Sequence, residues 1–267
     1  MKYGFIGLGN MAGAIISGMA ASGKFTDDSI YGYNRSEGKT LALRDKCGLI
    51  PCGSAAEVVG AAEVIVLSVK PQVMPAVLSE ISSLLTPDKT VISIAAGKPT
   101  SWYEERLPEG VPVVRVMPNL AATVKMAVSA ICGGKSASER DIAVTDGIFG
   151  TVGRVYHIEE KLFPVFSAIG GASGAFALLY IDALAEAGVR AGFSRPVAEE
   201  LAAQTMVGFG LMDIESAEHP IAIMNRVCSP GGTTVEGVIK LKELGFETAL
   251  QQGLKAIIDK DVQLSKD

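Results

Sequence analysis

The sequence predicts an α/β chain, with an N-terminal domain built on a parallel sheet followed by an all-α domain. Three observations carry this. Short apolar runs alternate with helical patterns from Lys2 to about His157. The first of those runs opens through a glycine-rich turn into a helix. From Leu162 onward strand signals vanish and only long helical patterns remain. The 267 residues suffice for two domains, which the sequence divides at 1–158 and 159–267. At 48% apolar and 20% charged residues, the chain has the material for a substantial core and is not disordered.

Lys2–Ile6 reads as a short buried strand. Gly7-Leu8-Gly9-Asn10-Met11-Ala12 follows, then Gly13–Met19 at helical spacing. This is the G-x-G-x-x-A form of the Rossmann dinucleotide fingerprint in its strand–turn–helix context. Gly7 permits the tight turn, Gly9 admits a pyrophosphate to the backbone, and Ala12 lets the helix approach the strand. Ile6, Gly7, Leu8, Gly9, Asn10 and Met11 are therefore candidate cofactor residues. Ser29–Tyr33 reads as the second strand and runs into Asn34-Arg35-Ser36. An acidic residue there would hold the ribose 2′-hydroxyl of NAD. None is present. Arg35 suits a 2′-phosphate, with Asn34 and Ser36 as hydrogen-bond partners, so NADPH is expected over NADH.

Glu63–Val69 is a further strand closed by Lys70-Pro71. Thr90–Ile94 is closed by Ala95-Ala96-Gly97, and Val111–Val116 by Met117-Pro118-Asn119. Helical patterns near Gln72–Leu85 and Thr100–Leu107 separate them, which implies a parallel sheet with right-handed crossovers. Ligands sit beyond the carboxyl ends of such strands, where Lys70, Ala95, Ala96, Gly97 and Asn119 fall. Val128–Cys132 and Gly153–His157 read as two later strands around a helix near Ser138–Phe149, and pattern alone leaves their direction open. The polar run from His157 to Lys161 marks the domain boundary.

In the second domain, helical patterns run about Ile169–Ala187 and Arg195–Asp213. Leu162–Ile181 holds no charge and is long enough to span a bilayer. Pro164 and three glycines interrupt it, and Asp182 and Glu186 continue the same run, so it is expected as a buried helix. Its apolar surface predicts either a deep core or an interface in a homo-oligomer. His219-Pro220 precedes a short helix, Ile221–Val227. Then comes Ser229-Pro230-Gly231-Gly232-Thr233-Thr234, ahead of apolar Val235, Val238, Ile239 and Leu241 at helical spacing. Here Ser229 is expected to cap a helix beginning at Pro230. An open helix start of this kind offers N–H groups and a positive dipole end to a carboxylate.

The net charge of −5 gives no broad attraction to nucleic acid or to an anionic membrane. The four cysteines are scattered, without zinc spacing or a disulfide framework, and no metal site is expected. Reduced thiols suit the cytoplasm. The N-terminal run meets Gly7 and Asn10 too soon for a secretory segment. His157 and His219 are the only histidines, and nothing pairs either with a nucleophile.

Taken together these motifs resemble the pyrroline-5-carboxylate reductases. The resemblance covers almost the whole length. It includes Gly7–Ala12, Val69-Lys70-Pro71, Ala95-Ala96-Gly97, Met117-Pro118-Asn119 and Ala183–Val189, and is most specific from His219 through Ser229–Thr234 to Leu241. It implies reduction of Δ1-pyrroline-5-carboxylate to L-proline by NAD(P)H. It implies a Rossmann domain and a helical dimerisation domain, an active site shared between protomers, and in some members rings of dimers. Ser229, Gly231, Gly232, Thr233 and Thr234 would bind the substrate carboxylate, and the Thr234 hydroxyl would contact the ring nitrogen as the catalytic group. Val69 and Pro71 join the cofactor set on the same ground, as does Ser54, which stands where Asn is usual. Gly174 replaces a usual Pro and Phe176 a usual Tyr, and Leu120 and Lys125 also depart from the family pattern. Two rivals are a β-hydroxyacid dehydrogenase and a non-catalytic NADPH-binding regulator. The first needs a Lys on the first helix of the second domain, and no Lys lies between Lys161 and Lys240.

Overall fold

The computed structural model describes residues 1–264. The chain forms two compact units, one comprising Met1–Gly171 with the segment from Ile258, the other Ala172–Ile257. In the first unit the elements run β1 (Lys2–Ile6), α1 (Asn10–Ala21), β2 (Ser29–Tyr33), α2 (Glu37–Cys47), β3 (Ile50–Pro51), α3 (Ala55–Ala61), β4 (Val64–Leu67) and α4 (Met74–Ile81). They continue as β5 (Thr90–Ser93), α5 (Thr100–Glu104), β6 (Val113–Pro118), β7 (Ala127–Gly133), α6 (Glu139–Phe149), β8 (Gly153–His157) and α7 (Phe163–Phe166). One sheet holds eight strands in the order β3-β2-β1-β4-β5-β6-β7-β8.

Strand alternation divides the core into two layers. Tyr3, Phe5, Val64, Val66, Ile92 and Val114 face α1 and α6, burying Ile15, Ile16, Met19 and Phe149. Ile6, Ile65, Leu67, Val91 and Val113 face α3, α4 and α5, burying Val58, Leu78 and Tyr103. Both faces are covered, as a parallel sheet requires. Strands β3 through β6 are all parallel, so their carboxyl ends share one edge.

Connection length sets the two directions that pattern left open. Only residues 119–126 separate β6 from β7, too few for a crossover, and the pair is antiparallel. A 3₁₀ turn, Leu120–Val124, fills the link, and Lys125 leaves it at φ +60°, a left-handed conformation that usually falls to glycine. Helix α6 carries the chain back from β7, and β8 is parallel to it.

The first unit continues beyond residue 158 through a polar knot. Glu160 accepts from the Thr100 N–H at 2.7 Å, the Thr100 hydroxyl at 3.0 Å and Arg115 at 3.2 Å. The Arg115 guanidinium lies 4.2 Å from the Phe163 ring centroid. Burial, and after it Glu160, push the neighbouring Cys132 thiol up to about 12, so it stays protonated and inert at neutral pH.

The second unit is helical: α8 (Ser173–Arg190), α9 (Arg195–Glu215), α10 (Pro220–Val227), α11 (Thr233–Glu243) and most of α12 (Phe246–Leu264). A π turn, Ser167–Ala172, leads into α8, so that Glu160–Arg190 forms one helical run long and apolar enough by composition to cross a membrane. Only 11% of that run's most apolar stretch is buried within the chain, so of the two expected ways of burying it the deep core is not what the chain itself provides. Leu178 and Leu179 are 68% and 67% exposed. The chain supplies too few layers to cover α8. An apolar groove of about 920 Å³ lies between α8, α9, α11 and α12, lined by Phe176, Tyr180, Leu184, Met206, Leu241 and Leu250. Phe176 packs there against Gly253, where a β-carbon would come within 3.2 Å of the ring.

Helix α6 begins in a capping box. Ser138 and Asp141 bond reciprocally, and Thr90 on β5 donates a 2.5 Å bond to Asp141. Burial works to raise the Asp141 carboxyl, but hydrogen bonds from Ser138 and Thr90 outweigh it and hold the group below its ordinary value. Its stabilisation is therefore complete above the unfolded carboxyl value and is lost as pH falls through the lower folded one. Asp141→Asn should cost about 1–2 kcal/mol at neutral pH. In chemical denaturation the gap between the two proteins should narrow below about pH 4.

Candidate active site

The nucleotide edge is built at the end of β1. Gly7 has φ +92°, and a β-carbon there would lie 2.7 Å from Val69 Cγ1 and 2.9 Å from the Ser68 carbonyl oxygen. Only glycine fits. The Gly7 N–H donates to the Tyr33 carbonyl of β2 at 2.9 Å, while the Ser68 hydroxyl donates to the Gly7 carbonyl at 2.5 Å. The turn is thus tied to both neighbouring strands. Helix α1 then starts at Asn10, with Gly9 as its N-cap, no side-chain cap and no acidic residue in its first turn. The N–H groups at its start are left without a side-chain cap, an arrangement suited to an anion. A β-carbon at Gly9 would meet no protein atom within 4 Å, which leaves room for a phosphate beside the backbone. The residues present fit a dinucleotide.

The remaining sequence-predicted cofactor residues gather on the same edge. Arg35 follows β2, is exposed, and has no hydrogen bond or ion pair among the described residues. Ser36 beside it is exposed at the start of α2 and makes no capping bond. Asn34 is partly engaged. Its Oδ1 accepts from the Leu8 N–H at 3.0 Å and its Nδ2 donates to the Ser36 carbonyl at 3.1 Å. That makes it a brace for the glycine turn. Ser54 is also engaged, as the N-cap of α3, accepting from the Glu57 N–H at 3.1 Å.

Beyond β4, Val69 is wedged against Gly7, Lys70 is exposed, and the Pro71 carbonyl accepts from Met74. Beyond β5, Ala95 is buried, Ala96 exposed, and Gly97 turns at φ +77°. Ser93 holds that turn, accepting from the Ala95 N–H at 3.3 Å while bonding the buried Tyr103 hydroxyl at 2.6 Å. Beyond β6, Asn119 donates from Nδ2 to the Gly170 carbonyl at 2.6 Å, and its Oδ1 is buried with no partner. Ser68, Ser93 and Tyr103 were not singled out from sequence. Small polar residues at the carboxyl ends of apolar strands, as in Leu67-Ser68-Val69, were the available signal.

Ser229–Thr234 lies in the second unit. The expected cap at Ser229 is corrected, since α11 begins at Thr233 with Gly232 as its N-cap. Pro230 and Gly231 instead form a turn closed by the Gly232 N–H on the Ser229 carbonyl at 3.0 Å. Gly231 has φ +71°, which no helical residue adopts, so the chain makes one more turn before the helix. The Gly232 N–H is thereby used. The α11 start carries no side-chain cap, and its first-turn N–H groups at Thr233 and Thr234 have no helical partner. Both threonines are exposed, with Glu236 in the same turn. His219 caps α10, its Nδ1 accepting from Ile221 at 3.2 Å, and His157 lies 3.0 Å from Asp146 at the end of the sheet, so both have structural places.

A largely parallel sheet with a locked glycine turn and a bare helix start at the β1–β4 switch point defines a dinucleotide-binding protein of the Rossmann class. Two relatives narrow the class: a pyrroline-5-carboxylate reductase of Methanosarcina acetivorans is 37% identical over 99% of this chain and 98% of its own, and that of Escherichia coli (strain K12) is 38% identical over the same shares. The chain belongs to the pyrroline-5-carboxylate reductase family. Residues 160–264 match the family model described as pyrroline-5-carboxylate reductase dimerisation, and residues 2–97 that described as NADP oxidoreductase, coenzyme F420-dependent. Among solved structures, a pyrroline-5-carboxylate reductase from Coxiella burnetii aligns with TM-score 0.92 at 29% identity, covering 99% of this chain and 98% of that one. The Plasmodium falciparum enzyme, crystallised with NADP bound, aligns with TM-score 0.86 at 28% identity over the same shares.

Gly7 and Gly9 predict opposite outcomes. Gly7→Ala should unfold or fail to accumulate. Gly9→Ala should melt within a few degrees of wild type yet bind NADPH roughly tenfold or more weakly, because its methyl fills ligand space and no protein space. Fluorescence titration beside thermal melts checks both.

Proposed function

We propose that the chain reduces the C=N bond of Δ1-pyrroline-5-carboxylate to L-proline, with hydride supplied by NAD(P)H and NADPH preferred. The observation that carries this is the uncapped α11 start behind the Ser229–Gly232 turn, in a chain whose other unit holds a nucleotide edge. When bound, the nucleotide supplies the hydride; the protein positions and polarises. N–H groups of the α11 first turn would hold the carboxylate. Ser229, Gly231 and Gly232 would shape the turn around it, and the Thr234 hydroxyl would hydrogen-bond the ring nitrogen as it gains its proton. An imine needs less activation than a ketone, so no strong side-chain acid is required. The β-hydroxyacid alternative is not favoured, because α8 and α9 contain no Lys and the first lysines beyond Lys161 lie in the last turn of α11.

Arg35 would meet the 2′-phosphate, being cationic, exposed and unpaired at the end of β2. The functional division would fall at 158/159, close to the start of the dimerisation match at residue 160. A second copy would cover the exposed α8 and α9 faces, giving a homodimer with a shared active site, and rings of dimers are compatible with it. The composition suits a cytoplasmic enzyme. Nothing in the net charge of −5 calls for nucleic acid or lipid.

A coupled absorbance assay with pyrroline-5-carboxylate and each reduced nicotinamide tests the activity, and NADPH oxidation without proline formation would overturn it. Thr234→Ala should lower turnover roughly 5- to 150-fold, the equivalent of about 1–3 kcal/mol, with NADPH binding nearly intact. Arg35→Ala should weaken NADPH more than NADH; equal weakening removes the 2′-phosphate contact. Light scattering should show an oligomer that persists on dilution.

A further inference from the structure

We propose that the Asn119 side-chain oxygen accepts a hydrogen bond from the nicotinamide's own carboxamide N–H, and thereby sets the rotation of the ring that delivers hydride. This rests on the nucleotide reading above and adds to it one named contact on the reacting half of the cofactor.

The assignment begins with the amide itself. Its partner at 2.6 Å is the Gly170 carbonyl, an acceptor, so the atom facing it must be the Nδ2 donor. The other end is then necessarily an oxygen, and that oxygen is buried without a partner. Asn in this position has an ordinary structural use. It precedes the 3₁₀ turn Leu120–Val124 as its N-cap, where a side-chain oxygen would normally accept from the turn's first N–H groups. Here it makes no such bond, and the Ala122 N–H goes to the Asn119 main-chain carbonyl instead, at 3.2 Å. The bond to Gly170 holds the amide away from the turn and leaves its acceptor end committed to nothing in the protein. A buried acceptor in that condition is costly, and gains most from a donor because no water has to be displaced.

Position selects the donor. The glycine turn and Arg35 fix the adenosine half at the ends of β1 and β2. The dinucleotide crosses the switch point toward β4, β5 and β6. The carboxyl end of β6 is three strand spacings from β1, about 14 Å, on the nicotinamide side. The nicotinamide carboxamide is the one group there with N–H donors and no charge. Because that oxygen is buried, the proposal includes an outward shift of the adjoining Leu120–Val124 turn when the ring binds.

The test compares three ligands on the full-length protein: NADP⁺, its 3-acetylpyridine analogue, in which a methyl ketone replaces the carboxamide, and 2′-phospho-ADP-ribose, which lacks the ring. Wild type should bind NADP⁺ roughly tenfold or more tightly than the analogue. Asn119→Ala should bind the two within about twofold of each other and keep wild-type affinity for 2′-phospho-ADP-ribose. Asn119→Ser serves as the second variant if the alanine protein does not fold, with the same expected loss of preference. The proposal is overturned if wild type shows no preference, if either variant retains it, or if the variants lose 2′-phospho-ADP-ribose as well, which would make Asn119 a brace for the edge. Failure of wild type to bind any of the three would instead overturn the nucleotide reading.

Discussion

The first unit depends on a glycine that cannot be anything else. At Gly7 the chain leaves β1 with a positive φ, between the side chain of Val69 and the carbonyl of Ser68. Its N–H is spent on β2 and its carbonyl on the Ser68 hydroxyl, so the turn is held from both sides. That fixed exit aims α1 with its first N–H groups toward the ligand edge. Arg35, Lys70, Ala96 and Asn119 come together because the strands they follow are parallel and end on the edge this turn belongs to.

Around the turn, much of the site consists of residues that hold other residues. Asn34 braces Leu8, Ser54 caps α3, Ser93 and Tyr103 hold Ala95, and Asn119 reaches Gly170. Some of these braces are local, but others span large sequence separations, 51 residues for Asn119 and Gly170 and 61 for Ser68 and Gly7. A single sequence shows a polar side chain but not whether its lone pairs are spent. From sequence Asn34 reads as a ligand contact, and in the fold it also braces the glycine turn. Asn119 reads as a cofactor candidate from sequence as well, and its unpartnered oxygen becomes visible only once its nitrogen is placed.

The helical unit follows a different logic. It buries few large side chains of its own, and α8 leaves Leu178 and Leu179 largely exposed. Such a surface is costly in water unless covered, and the family match over 160–264 is to a dimerisation domain. The apolar pattern announced a helix that must be hidden, in a deep core or against a second copy, and the exposure of Leu178 and Leu179 in the single chain separates the two.

Local chemistry was legible in the sequence. The fingerprint Gly7–Ala12, the strands from Lys2 to His157, the missing acidic residue near Arg35 and the open glycine-threonine stretch each depend on residues a few positions apart, where backbone preference and periodicity act directly. Tertiary structure alone decided the direction of β7, the place of Glu160 in the first unit's polar knot, and the start of α11 at Thr233. Those outcomes turn on how the strands pair, on long-range hydrogen bonds and on the positive φ that Gly231 adopts, which apolar pattern alone does not fix.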